Sequence, residues 1–389
     1  MNNFTYYAPT KVVFGRDIEP QIGGELRALG ARRVLLHFGG GSAKRSGLLD
    51  KVTASLAAAD LEWVELGGVS ANPRLDMVRE GVALARREKI DFVLAVGGGS
   101  VIDSAKAIAV TVAGGGDFWD YIEGKPVEQC LPIAVVLTIA AAGSEMSNSC
   151  VITDTERHLK RSIGTNAVRP KVAFMNPENT FSVSPWQTAC GAVDIMMHTM
   201  ERYFTGDGNT ELTDRLAEGL LLAVREAAPR ALADPCDYDA RATLMWASSV
   251  SHNDLTGCGR RRFFPAHKLE HDFSGHNEKI SHGAGLAVLF PAWAKFAYRY
   301  DVDRFAQFAV RVMGCEMDFT DPARTARAGI DALVAFFRSL GMPTTLSELG
   351  VSPDEYDAVI ALTTRNGNKV KSYIDLGPDE IRAIYKLAE

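Results

Sequence analysis

Two domains of different class are predicted from this sequence: an α/β domain with a mostly parallel sheet over residues 1–182, and an all-helical domain over residues 183–389. Three observations carry the prediction. Short β-rich runs alternate with helical stretches through the first domain, strand signals stop after Pro185, and a run of three glycines follows two of the early strands. Strand, helix, strand in succession makes a parallel sheet with helices on both faces.

The β-branched and aromatic run at residues 11–15 reads as the first strand, and residues 33–38, 62–66, 91–96 and 133–138 repeat that composition. Residues 46–59, 76–88 and 101–112 carry helical patterns between them. A polar hairpin is expected at residues 153–162 and a last strand at 172–175. Beyond Pro185, residues 187–204, 214–228, 239–249 and 325–340 read as helices of ordinary length. No low-complexity linker or internal repeat intervenes, so close packing of the two domains around a cleft is expected.

A hydrophobic fraction of 47% over 389 residues supports a large core. The net charge of -6 comes from interspersed acids and bases with no long basic run, so neither nucleic acid nor an anionic membrane is an expected partner. The N-terminus lacks a charged region followed by an apolar core, and no segment sustains about 18 uninterrupted apolar residues, so a cytoplasmic protein is expected. The six cysteines show no CxxC spacing, which argues against a disulfide framework and against a thiolate zinc site. They read as reduced and mostly buried.

The glycine runs sit where they have chemical meaning. Val96-Gly97-Gly98-Gly99-Ser100 follows an apolar strand and opens a helix bearing Asp103. Backbone without side chains at a helix N-terminus lets a pyrophosphate reach free amides and the positive end of the helix dipole. The alternative is a tight turn that needs glycine for its backbone alone. The second run, Phe38-Gly39-Gly40-Gly41-Ser42-Ala43-Lys44-Arg45, occupies the position where an acid would bind the adenosine ribose of NAD. No acid is present in it; the glycines, Ser42, Lys44 and Arg45 offer room and positive charge for the 2′-phosphate of NADP. The domain therefore reads as a Rossmann-like dinucleotide-binding domain.

Histidines are the second signal. Five of the eight (His252, His267, His271, His276 and His282) fall in one stretch, and Asp194 and His198 stand at i and i+4 on a predicted helix. That spacing puts a carboxylate and an imidazole on one helix face, within reach of one cation. Their neighbours Val193, Ile195, Met196 and Met197 imply burial, where an unpaired charge is costly. Oxygen plus imidazole without thiolate suits Fe(II) or Zn(II), with Mn, Ni or Co open. His267-Lys-Leu-Glu270-His271 also matches the HxxEH of inverzincin peptidases, a reading that leaves both glycine runs and the Asp194/His198 pair unexplained.

Taken together, these motifs resemble the iron-containing (group III) alcohol dehydrogenases, particularly the butanol dehydrogenase-like, NADPH-dependent aldehyde reductase branch. The resemblance spans essentially the whole chain. It rests on Asn3-Phe4 through Val13-Phe14-Gly15, Gly39-Gly40-Gly41-Ser42, Gly97-Gly98-Gly99-Ser100-Val-Ile-Asp103, Gly143-Ser144-Glu145, Gly191-Ala-Val-Asp194 with His198, His267-Lys-Leu-Glu-His271, and Ser281-His282-Gly283. It implies the dehydroquinate synthase-like fold that this family shares. It also implies a metal held by Asp194, His198, His267 and His282, with His271 beside it as a proton-relay residue and His276 a bystander. It further implies pyrophosphate on Gly97, Gly98, Gly99 and Ser100, Asp103 near the nicotinamide amide, Thr138, Ser144 and Thr180 along the dinucleotide site, and Lys160 touching the cofactor. Where family members read Pro-x-Thr-Gly-Ser-Glu, this chain has Ala140-Ala141-Ala142-Gly143-Ser144-Glu145, so Ala142 lacks a hydroxyl and weaker cofactor binding is expected. The interval from His271 to His282 is one residue longer than in that branch.

The implied reaction is hydride transfer between NADPH and small to medium aliphatic aldehydes, with a divalent cation polarising the carbonyl and His271 or water returning the proton. Phe263, Phe264 and His252 are expected to line the substrate channel. A glycerol dehydrogenase, a dehydroquinate synthase-like lyase and a non-catalytic metal- or nucleotide-binding relative are the rival readings. A homodimer formed through the N-terminal strand is implied by the resemblance.

Overall fold

The computed structural model describes residues 1–389. The chain divides into two compact units: a sheet unit, Tyr7–Val183 with Ser248–Asn253, and a helical unit, Ser184–Ala247 and Asp254–Glu389 with Met1–Tyr6.

In the sheet unit the strands are β1 (Lys11–Phe14), β2 (Arg33–Gly39), β3 (Glu62–Val69), β4 (Phe92–Gly97), β5 (Ile133–Leu137), β6 (Ser149–Asp154), β7 (Leu159–Gly164) and β8 (Val172–Met175). Six of them form a sheet in the order β1-β8-β5-β4-β2-β3, every neighbouring pair parallel, while β6 and β7 make a separate antiparallel hairpin. Each predicted strand is present, and the hairpin starts four residues earlier than its polar composition suggests because Cys150 and Ile152 are buried. The helices are α1 (Ile22–Ala28), α2 (Ser42–Arg45), α3 (Leu48–Ala58), α4 (Leu75–Arg87), α5 (Gly99–Gly114) and α6 (Phe118–Ile122).

Burial explains why β4 is an unbroken apolar run: it lies between β2 and β5, and all six of its residues are shielded from water. Phe92, Leu94 and Val96 are each fully buried, worth about 1.5–3 kcal/mol apiece. Helix α4 buries Leu75, Val78, Val82 and Ala85 at helical spacing. Gly81 lets it approach α5 closely, since a Cβ there would stand 2.3 Å from Ile108 Cδ1. The parallel register pairs Phe38 with Val96 and Gly97 with Leu137. Both glycine runs and Thr138 therefore lie at the carboxyl ends of adjacent strands, where open α/β sheets bind ligands.

The helical unit contains α7 (Pro185–Tyr203), α8 (Glu211–Ala233), α9 (Tyr238–His252), α10 (Pro265–His276), α11 (His282–Ala297), α12 (Val302–Phe308), α13 (Pro322–Ser339), α14 (Tyr356–Thr363) and α15 (Pro378–Lys386). The last turn of α9 belongs to the sheet unit. Phe204 centres the helical core, stacked on Phe305 and edge-on to Trp293 and Phe308. No helix is long and apolar enough to cross a membrane.

One buried base ties the sheet to α5. His37 on β2 is fully shielded; its Nδ1 lies 2.9 Å from Leu66 O and its Nε2 2.9 Å from Ser104 Oγ. Burial lowers its pKa from 6.5 to about 4, against a small opposing effect of the Leu66 carbonyl. The unfolded chain therefore takes up a proton near pH 6.5 that the folded chain refuses until about pH 4. His37 should cost the fold on the order of 3 kcal/mol as pH falls through that window. Urea unfolding of wild type and His37→Gln at pH 7 and pH 4.5 measures this: the variant should lose markedly less stability than wild type, and equal losses would show that His37 does not carry the effect.

Candidate metal centre and dinucleotide loops

In the sheet unit the first glycine run answers to crowding rather than to backbone conformation, most severely at Gly97. None of Gly97, Gly98 and Gly99 has a positive φ. A Cβ on Gly97 would lie 2.5 Å from Val101 Cγ2, one on Gly98 3.2 Å from Ile139 Cβ, and one on Gly99 3.1 Å from Ala142 Cβ. Gly98 caps α5 in extended conformation, and its carbonyl accepts from Val101 and Ile102. The amides of Gly99 and Ser100 thus open α5 with no side chain over them, an arrangement suited to a pyrophosphate. Ala142 presents only a methyl group to this cradle.

At the second run, Gly41 does have a backbone reason, with φ +115 just before α2. Ser42 is exposed, and Lys44 projects over the Phe38 ring at 5.0 Å. Sequence reasoning found no acid in this loop, but the neighbouring strand β3 supplies one: Glu65 Oε2 lies 3.4 Å from Lys44 Nζ. Both side chains are about half exposed, so the pair is weak and readily exchanged.

Asp103 and Ser144 turn inward to a network centred on Lys106, the basic residue in the first turns of α5, which is fully buried. Lys106 Nζ donates to Ser144 Oγ at 2.9 Å and Ser149 O at 2.8 Å; Ser144 in turn donates to Asp103 Oδ1 at 2.5 Å, and Val151 N to Asp103 Oδ2 at 2.9 Å. Burial pushes the Asp103 carboxyl above its ordinary range, opposed chiefly by Lys106, and burial likewise lowers the Lys106 ammonium, opposed by Asp103. Lys160 is buried on β7 and close enough to favour the charged Asp103. Thr138 N donates to Gly97 O, placing it beside the cradle. Thr180 is buried, with its hydroxyl donated to Pro177 O at 2.7 Å. Gly143, at φ +63, packs where a Cβ would be 2.4 Å from Ser248 O and 2.7 Å from His252 Cβ. His252 thus braces this loop from within the sheet unit.

The helical unit gathers the other candidates. Ser184 caps α7, and Asp194, His198 and Glu201 fall on one face of that buried helix. Helix α10 contributes His267 and His271, and α11 opens at His282. Gly283 permits that approach, because a Cβ there would strike Cys190 O on α7 at 2.3 Å. Around Asp194 Oδ1 stand His198 Nδ1 at 3.3 Å, His267 Nε2 at 3.6 Å and His282 Nε2 at 3.7 Å. The donor atoms of Asp194, His267 and His282 all lie within 4.8 Å of one another. Asp194 Oδ1 and His267 Nε2 are buried and have no hydrogen-bond partner, a costly condition unless something positive lies between them. The residues present therefore fit a divalent cation.

Two further carboxylates complete the centre: Glu201, which the sequence did not single out, and Glu270, which it placed only in the HxxEH match. Glu201 accepts from His267 Nδ1 and Glu270 from His282 Nδ1, so each ring presents Nε2 toward Asp194. Burial opposes charge on His267, but Glu201 and then Asp194 outweigh it and lift the imidazole to about 9; the pocket favours positive charge. The only sequence hint was spacing, with Glu201 three residues after His198 and Glu270 three after His267. His271 lies beside the cluster, its ring 5.4 Å from His282 and 6.3 Å from His267. His276 instead faces Glu355 at 3.6 Å. Phe264 packs edge-on to His267 at 5.5 Å, but Phe263 is buried against Tyr373 and belongs to the core, which corrects the expectation that it lines a channel.

Comparison with known proteins agrees with this architecture. Residues 9–177 match the family model for iron-containing alcohol dehydrogenase, and residues 188–388 match that for the C-terminal region of the Fe-containing alcohol dehydrogenase family. The chain is 40% identical to the probable NADH-dependent butanol dehydrogenase 1 of Bacillus subtilis, with 99% of each covered. It is 34% identical to the NADPH-dependent aldehyde reductase YqhD of Escherichia coli, with all of each covered. The crystal structure of NADH-dependent butanol dehydrogenase A from Thermotoga maritima superposes with a TM-score of 0.96 at 38% identity, covering 100% of this chain and 99% of that one. The chain belongs to the iron-containing alcohol dehydrogenase family, in its butanol dehydrogenase and aldehyde reductase branch, and is an NAD(P)-dependent oxidoreductase acting on CH–OH groups.

Proposed function

We propose that this enzyme is a metal-dependent aldehyde reductase that transfers hydride between NADPH and small to medium aliphatic aldehydes such as butanal. The observation that carries the reading is the pair of partnerless buried atoms, Asp194 Oδ1 and His267 Nε2, facing each other in a cluster of imidazoles. Asp194, His198, His267 and His282 would hold the cation, Fe(II) or Zn(II). When bound, it supplies Lewis-acid polarisation of a carbonyl oxygen. His271, next to that cluster and only partly buried, is suited to return the proton to the product oxygen. Gly97, Gly98, Gly99 and Ser100 would cradle the pyrophosphate, and Thr138 would flank it.

Ser42 and Lys44 support NADPH over NADH, because they offer a hydroxyl and an ammonium where a 2′-phosphate needs partners. The reading with NADH also has support: relatives named as NADH-dependent match this chain at 36 to 40% identity, and Glu65 already occupies Lys44. A homodimer is part of the proposal; β1 forms one edge of the sheet, with its outer side unpaired within the chain.

Rates of NADPH and NADH oxidation with butanal, on chelator-stripped protein before and after adding Fe(II) or Zn(II), test the reading. Turnover should return with metal and favour NADPH; metal-restored turnover favouring NADH would overturn the cofactor assignment alone, and no turnover with either would overturn the reaction. Metal analysis of purified variants gives a second check. Asp194→Ala and His267→Ala should emerge without metal and inactive, whereas His276→Ala should keep wild-type metal content. Lys44→Ala should raise KM for NADPH roughly tenfold, the scale of one lost charge-assisted contact, and leave KM for NADH nearly unchanged.

A further inference from the structure

We propose that Glu201 and Glu270 are positioning residues that set how tightly the helical unit holds its cation, acting through His267 and His282. The inference rests on the metal reading above. Both glutamate side chains are completely shielded from water. Glu201 sits on α7 one turn beyond His198, accepts from His267 Nδ1, and also accepts from Ala266 N at 2.6 Å in the first turn of α10. It therefore fixes a ring and the start of the helix that carries it. Glu270, on α10, reaches across to His282 Nδ1 at the first turn of α11. Room for it comes from Gly285, where a Cβ would lie 2.7 Å from Glu270 Cγ.

The two bonds form a chain, α7 to α10 and α10 to α11, that closes three ligand-bearing helices around Asp194. Each also fixes a tautomer. With Nδ1 committed to a carboxylate, Nε2 is the nitrogen left to face Asp194 Oδ1, at 3.6 Å for His267 and 3.7 Å for His282, and the one available to a cation. An imidazole that donates to a carboxylate is a better ligand, and such partners commonly govern metal affinity by about 10- to 100-fold. The charges matter as well. Asp194, Glu201 and Glu270 bring three carboxylates around one centre, two more than the ligand set itself contains, and a buried anion without a countercharge destabilises the fold. A glutamine keeps the shape and its carbonyl oxygen can still accept from Nδ1, so the exchange should spare the fold of the metal-free protein and weaken mainly the metal complex. A packing role predicts the opposite pattern.

The test is competition for Zn(II) between a chromophoric chelator and the full-length protein, together with the melting temperature of the metal-free form. Wild type, Glu201→Gln, Glu270→Gln, Asp194→Ala and the control Glu355→Gln are compared; Glu355 faces His276 and not the cluster. Both glutamine variants should bind Zn(II) about 10- to 100-fold more weakly, with metal-free melting temperatures no lower than wild type, while Glu355→Gln binds as wild type does. Affinity within threefold of wild type in both glutamine variants, alongside a large loss in Asp194→Ala, would overturn this proposal and leave the metal site standing. Wild-type affinity in Asp194→Ala would overturn the metal site and this proposal with it. If Glu201→Gln fails to fold because α10 loses its anchor, Glu270→Gln decides the question alone.

Discussion

The helical unit is organised around one constraint: the Asp194 carboxylate is buried with an oxygen that accepts no hydrogen bond. A buried anion of that kind is tolerated only with a compensating positive charge. Every nearby feature acts to supply one. Three imidazoles turn nitrogen toward the same oxygen, and two further carboxylates hold two of those rings in place. The glycines at 283 and 285 exist where Cys190 and Glu270 leave no space for a Cβ, so the packing of α11 serves the same centre.

The sheet unit follows a different logic, in which space is the scarce quantity. Its first glycine run is held in ordinary helical and extended backbone; Val101 leaves no room for a Cβ on Gly97, and Ile139 and Ala142 crowd the positions above Gly98 and Gly99. That leaves amides bare at the start of α5. Behind the cradle, Lys106 secures Asp103 through Ser144, and His37 secures α5 to β2 and β3. The buried polar groups of this unit thus keep one helix N-terminus in register with the strand ends.

How far the sequence foretold this depended on the range of the interaction concerned. Strands and most long helices were legible because apolar periodicity is local; the i, i+4 spacing of Asp194 and His198 was legible for the same reason. Helices α10 and α11 were not read: α11 is apolar and buried nearly all round, and α10 buries the polar His267, Glu270, Asp272 and Ser274, so neither shows an apolar stripe opposite a polar face. Glu201 drew no notice in the sequence, and Glu270 entered only through the HxxEH match. Their meaning depends on rings brought next to them from another helix, as the meaning of Lys44 depends on Glu65 from the adjacent strand. Ser248–Asn253, which closes against the Gly143 loop, gave no sequence signal of belonging with a sheet some 100 residues upstream.

The claim on which the account turns is that Asp194 and the histidines form one cation site. Anomalous diffraction from crystals of the protein loaded with Zn(II) or Fe(II), recorded at the metal edge, tests it directly. The account predicts a single strong peak lying about 2.0–2.2 Å from Asp194 Oδ1 and from the Nε2 atoms of His267 and His282. A peak held instead by His276 and Glu355, or no peak near Asp194 in metal-saturated protein, would contradict it.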